Sequence, residues 1–274
     1  MLVTSKEILL KAKSEGYAVV APDFIDLDSA RVFVETAQRL GKPIILSYAQ
    51  AHSEIISLEE AASIGKLVAK SVDVPIVLHL DHGTDEDVIR KAISLGFTSV
   101  MIDASMDSFE ENVRRTKAIV DYAHLFGVSV EAEIGHVGSG ENYENHSACD
   151  SVYTEVEDAI SFVEQTGVDS LAVSIGTAHG IYKGVPVLNF ERLHELAKAV
   201  KIPLVLHGGS GSGDENLHRC AVEGISKINI FTDFMIGGMK EIEKAKPKDY
   251  FELKKTANKG MAEVLEHYLN LFSK

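Results

Sequence analysis

Pro75-Ile-Val-Leu-His-Leu-Asp-His-Gly83 and Pro203-Leu-Val-Leu-His-Gly-Gly-Ser-Gly211 are the two stretches whose reading decides the fold. Each opens with an unbroken run of apolar β-formers and ends in histidine and glycine. Half-exposed strands alternate apolar and polar side chains, whereas an unbroken run suits a parallel strand buried on both faces. Outward from Ile76–Leu80 and Pro203–Leu206, six more such runs appear: Ala18–Ala21, Pro43–Ser47, Ser99–Ile102, Ser129–Ile134, Ser170–Ser174 and Lys227–Ile230. Successive starts lie about 23 to 41 residues apart, room for one strand and one helix each.

The segments between the runs look amphipathic. Ser108 and Glu111 form a Ser-x-x-Glu capping box ahead of a helix over Val113–Phe126. Asp28 and Ser29 stand where a helix over Ala30–Leu40 begins. Gly41, Gly96, Gly127, Gly167 and Gly224 occupy positions where a helix ends in a left-handed residue. A terminal helix is expected from Phe251 to Leu271. Eight strand–helix units predict one α/β domain over 1–274, a (β/α)8 TIM barrel with an extra C-terminal helix. A doubly wound open sheet with a small second domain is the alternative.

The chain of 274 residues is 45% hydrophobic and 25% charged, ordinary globular usage that excludes a disordered chain. Its 27 basic and 41 acidic residues give a net charge of −14. That balance disfavours nucleic acid and anionic membranes, which need a basic footprint. It leaves room for a small anion in one local pocket. Cys149 and Cys220 make no disulfide framework and no Cys-x-x-Cys pair. Lys6 and Glu7 interrupt any signal-peptide core, and no apolar run approaches the roughly 20 residues of a membrane span. The expectation is a soluble protein of a reducing cytoplasm.

Three histidines stand at the carboxyl ends of strands. His82 lies in His79-Leu-Asp-His-Gly83 after the third run, His179 in Gly176-Thr-Ala-His-Gly180 after the sixth, and His207 after the seventh. Carboxyl ends converge on the rim where barrels keep their chemistry. Three imidazoles with a fourth position left open is a catalytic zinc arrangement, so His82, His179 and His207 are the proposed ligands. Asp81 beside His82 either orients an imidazole or acts as general acid–base. Strand neighbours face opposite sides, so a turn must begin near Asp81 for both to reach the rim. His79 shares Asp81's side and reads as a supporting or core residue.

Glu131 and Glu133 share one face of the fifth strand, where buried carboxylates need a nearby cation. Glu141, beyond Gly138 and Gly140, is either an exposed loop acid or a mobile one that closes over substrate. Gly208-Gly-Ser-Gly211 follows the seventh strand and Asn229-Ile-Phe-Thr232 ends the eighth. Loops after strands 7 and 8 form the usual phosphate cradle of barrels. Glycines let backbone N–H groups face the anion, and the hydroxyls of Ser210 and Thr232 add donors.

Taken together, His-Leu-Asp-His-Gly, Glu-x-Glu-Ile-Gly-x-x-Gly-Ser-x-Glu, Gly-Thr-Ala-His-Gly, His-Gly-Gly-Ser-Gly and Asn-Ile-x-Thr resemble the class II, zinc-dependent ketose-bisphosphate aldolases, which include the fructose- and tagatose-bisphosphate enzymes. The resemblance runs from about Tyr17 to the C-terminus. It is closer to the shorter, tagatose-type branch, in which Ser-Val-Met-Ile-Asp-Ala-Ser, here Ser99–Ser105, is typical. It implies reversible cleavage of fructose- or tagatose-1,6-bisphosphate to dihydroxyacetone phosphate and an aldehyde such as glyceraldehyde 3-phosphate, as in glycolysis. By the same resemblance His82, His179 and His207 bind zinc, and Asp81 handles the proton of the hydroxyl whose C–C bond breaks. Glu141 exchanges the proton at the dihydroxyacetone-phosphate carbon. Gly180, Gly208, Gly209, Ser210, Asn229, Ile230, Phe231 and Thr232 hold dihydroxyacetone phosphate. Asn229 also touches the enediolate, and a potassium or sodium ion sits near the phosphate. Glu133 and Asp103 match an alternative metal position of some relatives. Besides the phosphorylated sugar, the expected partners are further copies of the chain, as a homodimer or homotetramer.

This sequence departs from the family pattern in four places. Pro22-Asp23 replaces Phe-Asn after the first strand, and Phe231 replaces a small residue, Asn or Asp. Lys246-Pro-Lys248 replaces Asp-Pro-Arg, so Lys248 inherits the arginine's distal phosphate. Ser47-Tyr-Ala-Gln50 lacks the usual glycine. The altered positions lie on the aldehyde side. Other readings are an aldolase of this family with a different aldehyde, a non-catalytic sugar-phosphate binder, a zinc hydrolase, or a Schiff-base aldolase using Lys183 or Lys227.

Overall fold

The computed structural model describes residues 1–135, 153–178 and 184–273. The strands are β1 (Val19–Pro22), β2 (Ile44–Ala49), β3 (Ile76–Gly83), β4 (Ser99–Ile102), β5 (Ser129–Ile134), β6 (Ser170–Val173), β7 (Leu204–Leu206) and β8 (Ile225–Ile230). All are parallel, in the order β1-β8-β7-β6-β5-β4-β3-β2. A bridge from Asp23 to Ser47 and a 2.9 Å bond from the Phe24 N–H to the Ser47 carbonyl bring β1 against β2. The result is a nearly closed (β/α)8 barrel, as expected, and the open doubly wound alternative is excluded.

Around the barrel lie α1 (Ser5–Glu15), α2 (Leu27–Leu40), α3 (Leu58–Ala69), α4 (Glu86–Leu95), α5 (Phe109–His124), α6 (Val156–Thr166), α7 (Phe190–Ala199), α8 (Asp214–Glu223), α9 (Thr232–Ala245) and α10 (Tyr250–Leu271). Among the described residues, no helix is long and apolar enough to cross a membrane. The cap of α2 differs from the expected one. Asp26 accepts from the Ser29 N–H at 2.7 Å, and the Ser29 hydroxyl accepts back from the Asp26 N–H at 3.1 Å. Aspartate with serine thus closes a reciprocal capping box, and the helix starts one turn early. Ser108 caps α5 by accepting from the Glu111 N–H at 3.3 Å, which places the helix at Phe109–His124 rather than Val113–Phe126.

The sequence pattern missed α1, whose buried Ile8, Leu9 and Ala12 pack on Val19, Ala21, Ile45 and Val77. Ser5 at its start meets Ser129 Oγ with both its N–H (3.0 Å) and its hydroxyl (2.8 Å), and Ser99 Oγ donates to Ser5 Oγ at 2.9 Å. α1 therefore plugs the amino end of the barrel. The larger core lies between the outer strand faces and the helices, and includes Phe24, Phe33, Phe97, Phe162 and Phe234.

Strand periodicity turns every second residue inward. Beside the apolar contacts of α1, a polar column runs up the interior: Ser99 and Ser129, then His79, Glu131 and Lys227, then Asp81, Glu133, His207 and Asn229. All of them are buried. This column ends in the site at the carboxyl rim.

Candidate active site

The middle layer is an ion-pair network. Lys227 Nζ lies 2.8 Å from both Glu131 oxygens and 3.2 Å from His79 Nε2. Burial alone would raise the Glu131 carboxyl, but Lys227 and a hydrogen bond from His207 outweigh it and hold it at about 2. The cation required by the paired glutamates of the fifth strand is thus Lys227, from strand eight. Being 0% exposed and engaged by two carboxylate oxygens, Lys227 is not free to form a Schiff base with substrate. His79 also donates or accepts at Ser99 Oγ (2.8 Å), which confirms its supporting position.

β3 resolves the orientation problem at its end. His82 has a left-handed backbone (φ 46°), and the pairing of β3 with β4 slips between Leu80 and Gly83. This bulge turns His82 to the side of Asp81, the re-aiming that bulges provide beside functional sites. A left-handed non-glycine residue costs on the order of 1–3 kcal/mol, which the surrounding structure must supply. Next to it, a Cβ on Gly83 would lie 2.5 Å from the Met101 carbonyl.

The two described histidines meet edge to face, with ring centroids 4.5 Å apart. His82 Nδ1 faces Asp103 Oδ2 at 2.7 Å, and His207 Nε2 faces Glu131 Oε1 at 2.9 Å. The remaining nitrogens, His82 Nε2 and His207 Nδ1, converge to 2.9 Å. Carboxylates on the outer nitrogens fix tautomer and ring plane, as around metal-bound histidines. Asp81, His82 and His207 each bring an atom within 4.8 Å of one another, and so do His82, Asp103 and Glu133. Glu133 Oε2 is 3.4 Å from His207 Nδ1. This donor set fits a divalent metal of zinc type.

Asp81 sits at the centre, 2% exposed. Its Oδ1 accepts from Asn229 Nδ2 at 2.8 Å and lies 3.7 Å from His79 Nε2, while Oδ2 is 3.9 Å from His82 Nε2. Burial would raise its pKa, but His82, the His79 hydrogen bond and Lys227 together hold it well below the usual carboxylate range. Burial likewise would lower His82, yet Asp81, Asp103 and Glu133 raise it to about 10.

The glycine loop after β7 and the start of α9 lie side by side. Gly208 has φ 65°, and a Cβ there would lie 2.3 Å from the Ala178 carbonyl, so only glycine fits. Ser210 Oγ accepts from the N–H groups of Phe231 (3.1 Å) and Asp233 (3.3 Å), tying this loop to the α9 N-terminus. A glycine loop at a helix N-terminus is a ready anion site. Gly208, Gly209, Ser210, Asn229, Phe231 and Thr232 all line one cavity of about 530 Å³, together with Asp81 and His82. Ile230 packs in the outer core, so only its backbone is on offer. Lys248 is exposed beyond the end of α9 and is not among the lining residues. His179, Gly180 and Glu141 lie outside the described residues.

Among the titratable lining residues, two were not proposed for a role, Asp23 and His52. Asp23 stood out only as a departure from the family pattern. His52 follows β2 on the carboxyl face, the one signal that could have found it.

Barrel enzymes that work through a bound metal share this arrangement, and the chain falls in that class. Its family follows from the sequence as a whole. The model of the family described as "Fructose-bisphosphate aldolase class-II" matches residues 3–274, so the chain belongs to the class II aldolases, metal-dependent lyases. It is similar to the YdjI aldolase of Escherichia coli K12, at 33% identity and TM-score 0.90, covering 100% of this chain and 98% of that one. It is also similar to a fructose-bisphosphate aldolase of Campylobacter jejuni, at 26% identity and TM-score 0.81, covering 99% of this chain and 95% of that one.

Proposed function

We propose that this protein is a zinc-dependent aldolase that reversibly cleaves a phosphorylated ketose to dihydroxyacetone phosphate and an aldehyde. The observation that carries the reading is Asp81: a buried carboxyl group beside His82, bonded to Asn229, in a cavity that the glycine loop after β7 and Thr232 also line.

The backbone N–H groups of Ser210 and Thr232 bind the phosphate, with the Thr232 side chain adding a hydroxyl. That anchor sets the ketone over the histidines. Asp81 takes the proton from the hydroxyl on the carbon that becomes the aldehyde. The C–C bond then breaks, its electron pair moving toward the ketone while the aldehyde C=O forms. Asn229 holds Asp81 through its amide nitrogen, which leaves its buried Oδ1 without a protein partner, available to a substrate hydroxyl. Glu141 returns a proton to the carbon of dihydroxyacetone phosphate, completing the balance. His82, His179 and His207 would hold zinc, which supplies Lewis-acid polarisation of the substrate carbonyl.

The test is cleavage of fructose- and tagatose-1,6-bisphosphate and of their 6-dephospho forms, with chelator and with zinc restored. Zinc should bind one per chain and activity should follow it, with affinity falling at low pH as the imidazoles protonate. Undiminished cleavage in metal-free protein overturns the reading.

A further inference from the structure

The cavity continues past Asp81 toward β1 and β2, and that sector has no role in the reaction so far. Its walls are Asp23, Ala49 and His52, with Phe231 from the β8 side. Asp23 is 7% exposed, and its Oδ1 has no hydrogen-bond partner. His52 Nδ1 is likewise buried and unpartnered. Leaving a buried polar atom unpaired costs on the order of 1–3 kcal/mol, more if it is charged. Two such atoms on one cavity wall mark places where an entering ligand supplies the partner.

The sector's position says which ligand part arrives there. The phosphate cradle lies at β7 and β8, and Asp81 faces the hydroxyl that becomes the aldehyde oxygen. Asp23 and His52 follow β1 and β2, and Ala49 of the same wall pairs with Asp81 across β2 and β3. Groups held there belong to the aldehyde half. Charge then selects the chemistry. Four carboxylates line the cavity (Asp23, Asp81, Asp103 and Glu133), and among the described lining residues there is no lysine or arginine. A second phosphate beside Asp23 would find no lysine or arginine among the described lining residues to pair with. A hydroxyl suits both unpartnered atoms, donating to Asp23 and bonding His52. The Phe231 ring, 4.6 Å from the His52 ring and tilted 39° to it, offers an apolar wall to the C–H side of the same chain.

Resting on the aldolase reading above, we propose that Asp23 and His52 form the acceptor subsite and select an uncharged hydroxyaldehyde over a phosphorylated one. The experiment is condensation with dihydroxyacetone phosphate, comparing kcat/KM for glyceraldehyde, glyceraldehyde 3-phosphate and propanal. In the wild type, glyceraldehyde should exceed each of the others by about tenfold or more, since a site built to bond a hydroxyl rejects propanal, which lacks one, and offers the phosphate of glyceraldehyde 3-phosphate no lysine or arginine among its described lining residues. Asp23→Asn keeps the shape and replaces the carboxyl by an amide, so it should shift the ratio toward glyceraldehyde 3-phosphate by about tenfold. His52→Phe should shrink the advantage of glyceraldehyde over propanal. A wild-type preference for glyceraldehyde 3-phosphate overturns the proposal, as does a ratio unmoved by Asp23→Asn. If that variant does not fold, the wild-type series and His52→Phe decide. A separate control is deuterium exchange into dihydroxyacetone phosphate without aldehyde. Its absence in the zinc-loaded wild type overturns the aldolase reading and this proposal with it; exchange with the wrong acceptor preference overturns only the subsite.

Discussion

Replacing Lys227 by methionine would keep the volume of a fully buried side chain and delete its charge. The structure sets the size of the effect. Lys227 Nζ makes two 2.8 Å contacts to Glu131 and lies 3.8 Å from Asp81 Oδ1, with both Lys227 and Glu131 essentially inaccessible to water. Lys227→Met therefore strands Glu131 without its strongest partner, and breaking a buried pair this way costs about 3–5 kcal/mol. At roughly 2–4 °C per kcal/mol for a chain somewhat shorter than this one, Tm should fall by about 6–20 °C. Thermal and urea unfolding of metal-free protein measure the loss. Adding Glu131→Gln removes the stranded charge and should recover part of it. Zinc affinity should fall even so, because Glu131 also fixes the His207 ring. A single variant within about 1 kcal/mol of wild type, or a double variant no more stable than the single, would refute the reasoning that this network is a stranded-charge problem.

Other outcomes follow from the same geometry. Asp81→Ala should retain zinc, measured by metal content, while turnover drops by about 10²–10⁴; wild-type turnover would reduce Asp81 to a ring-orienting role. Gly208→Ala forces a Cβ to 2.3 Å from the Ala178 carbonyl at a left-handed residue, so it should cost at least about 1–3 kcal/mol and weaken inorganic phosphate binding. Cys220 is 0% exposed and burial pushes its thiol up to about 12, so in a Cys149→Ser background a thiol reagent at pH 8 should label only unfolded protein. Rapid labelling of the native variant would contradict that burial.

Several features were legible in the residues because they depend on local chemistry. Parallel strands buried on both faces show as apolar runs, and the glycines at 41, 96, 127 and 167 take left-handed backbones (φ 65°, 94°, 69° and 71°) where the helices end. The strands at Ser99–Ile102 and Ser129–Ile134 match residue for residue. Asp81, His82, His207 and the glycine loop after β7 were readable because each stands at a carboxyl end, and barrel closure carries all such ends to one rim. What the sequence could not determine is whatever depends on a partner distant along the chain. Glu131 needed a cation, but only the barrel shows it to be Lys227, 96 residues away. The turn required beside Asp81 was foreseeable, yet its form, a bulge with a left-handed His82, depends on the slip against β4. α1 went unread because its apolar face is short and its plug contacts, Ser5 with Ser99 and Ser129, reach across the barrel. Asp23 and His52 share a wall only because β1 closes against β2. Local propensity and periodicity are written within a few residues, whereas charge pairing, backbone strain and cavity shape arise when distant residues are forced together, and those were decided by the tertiary structure alone.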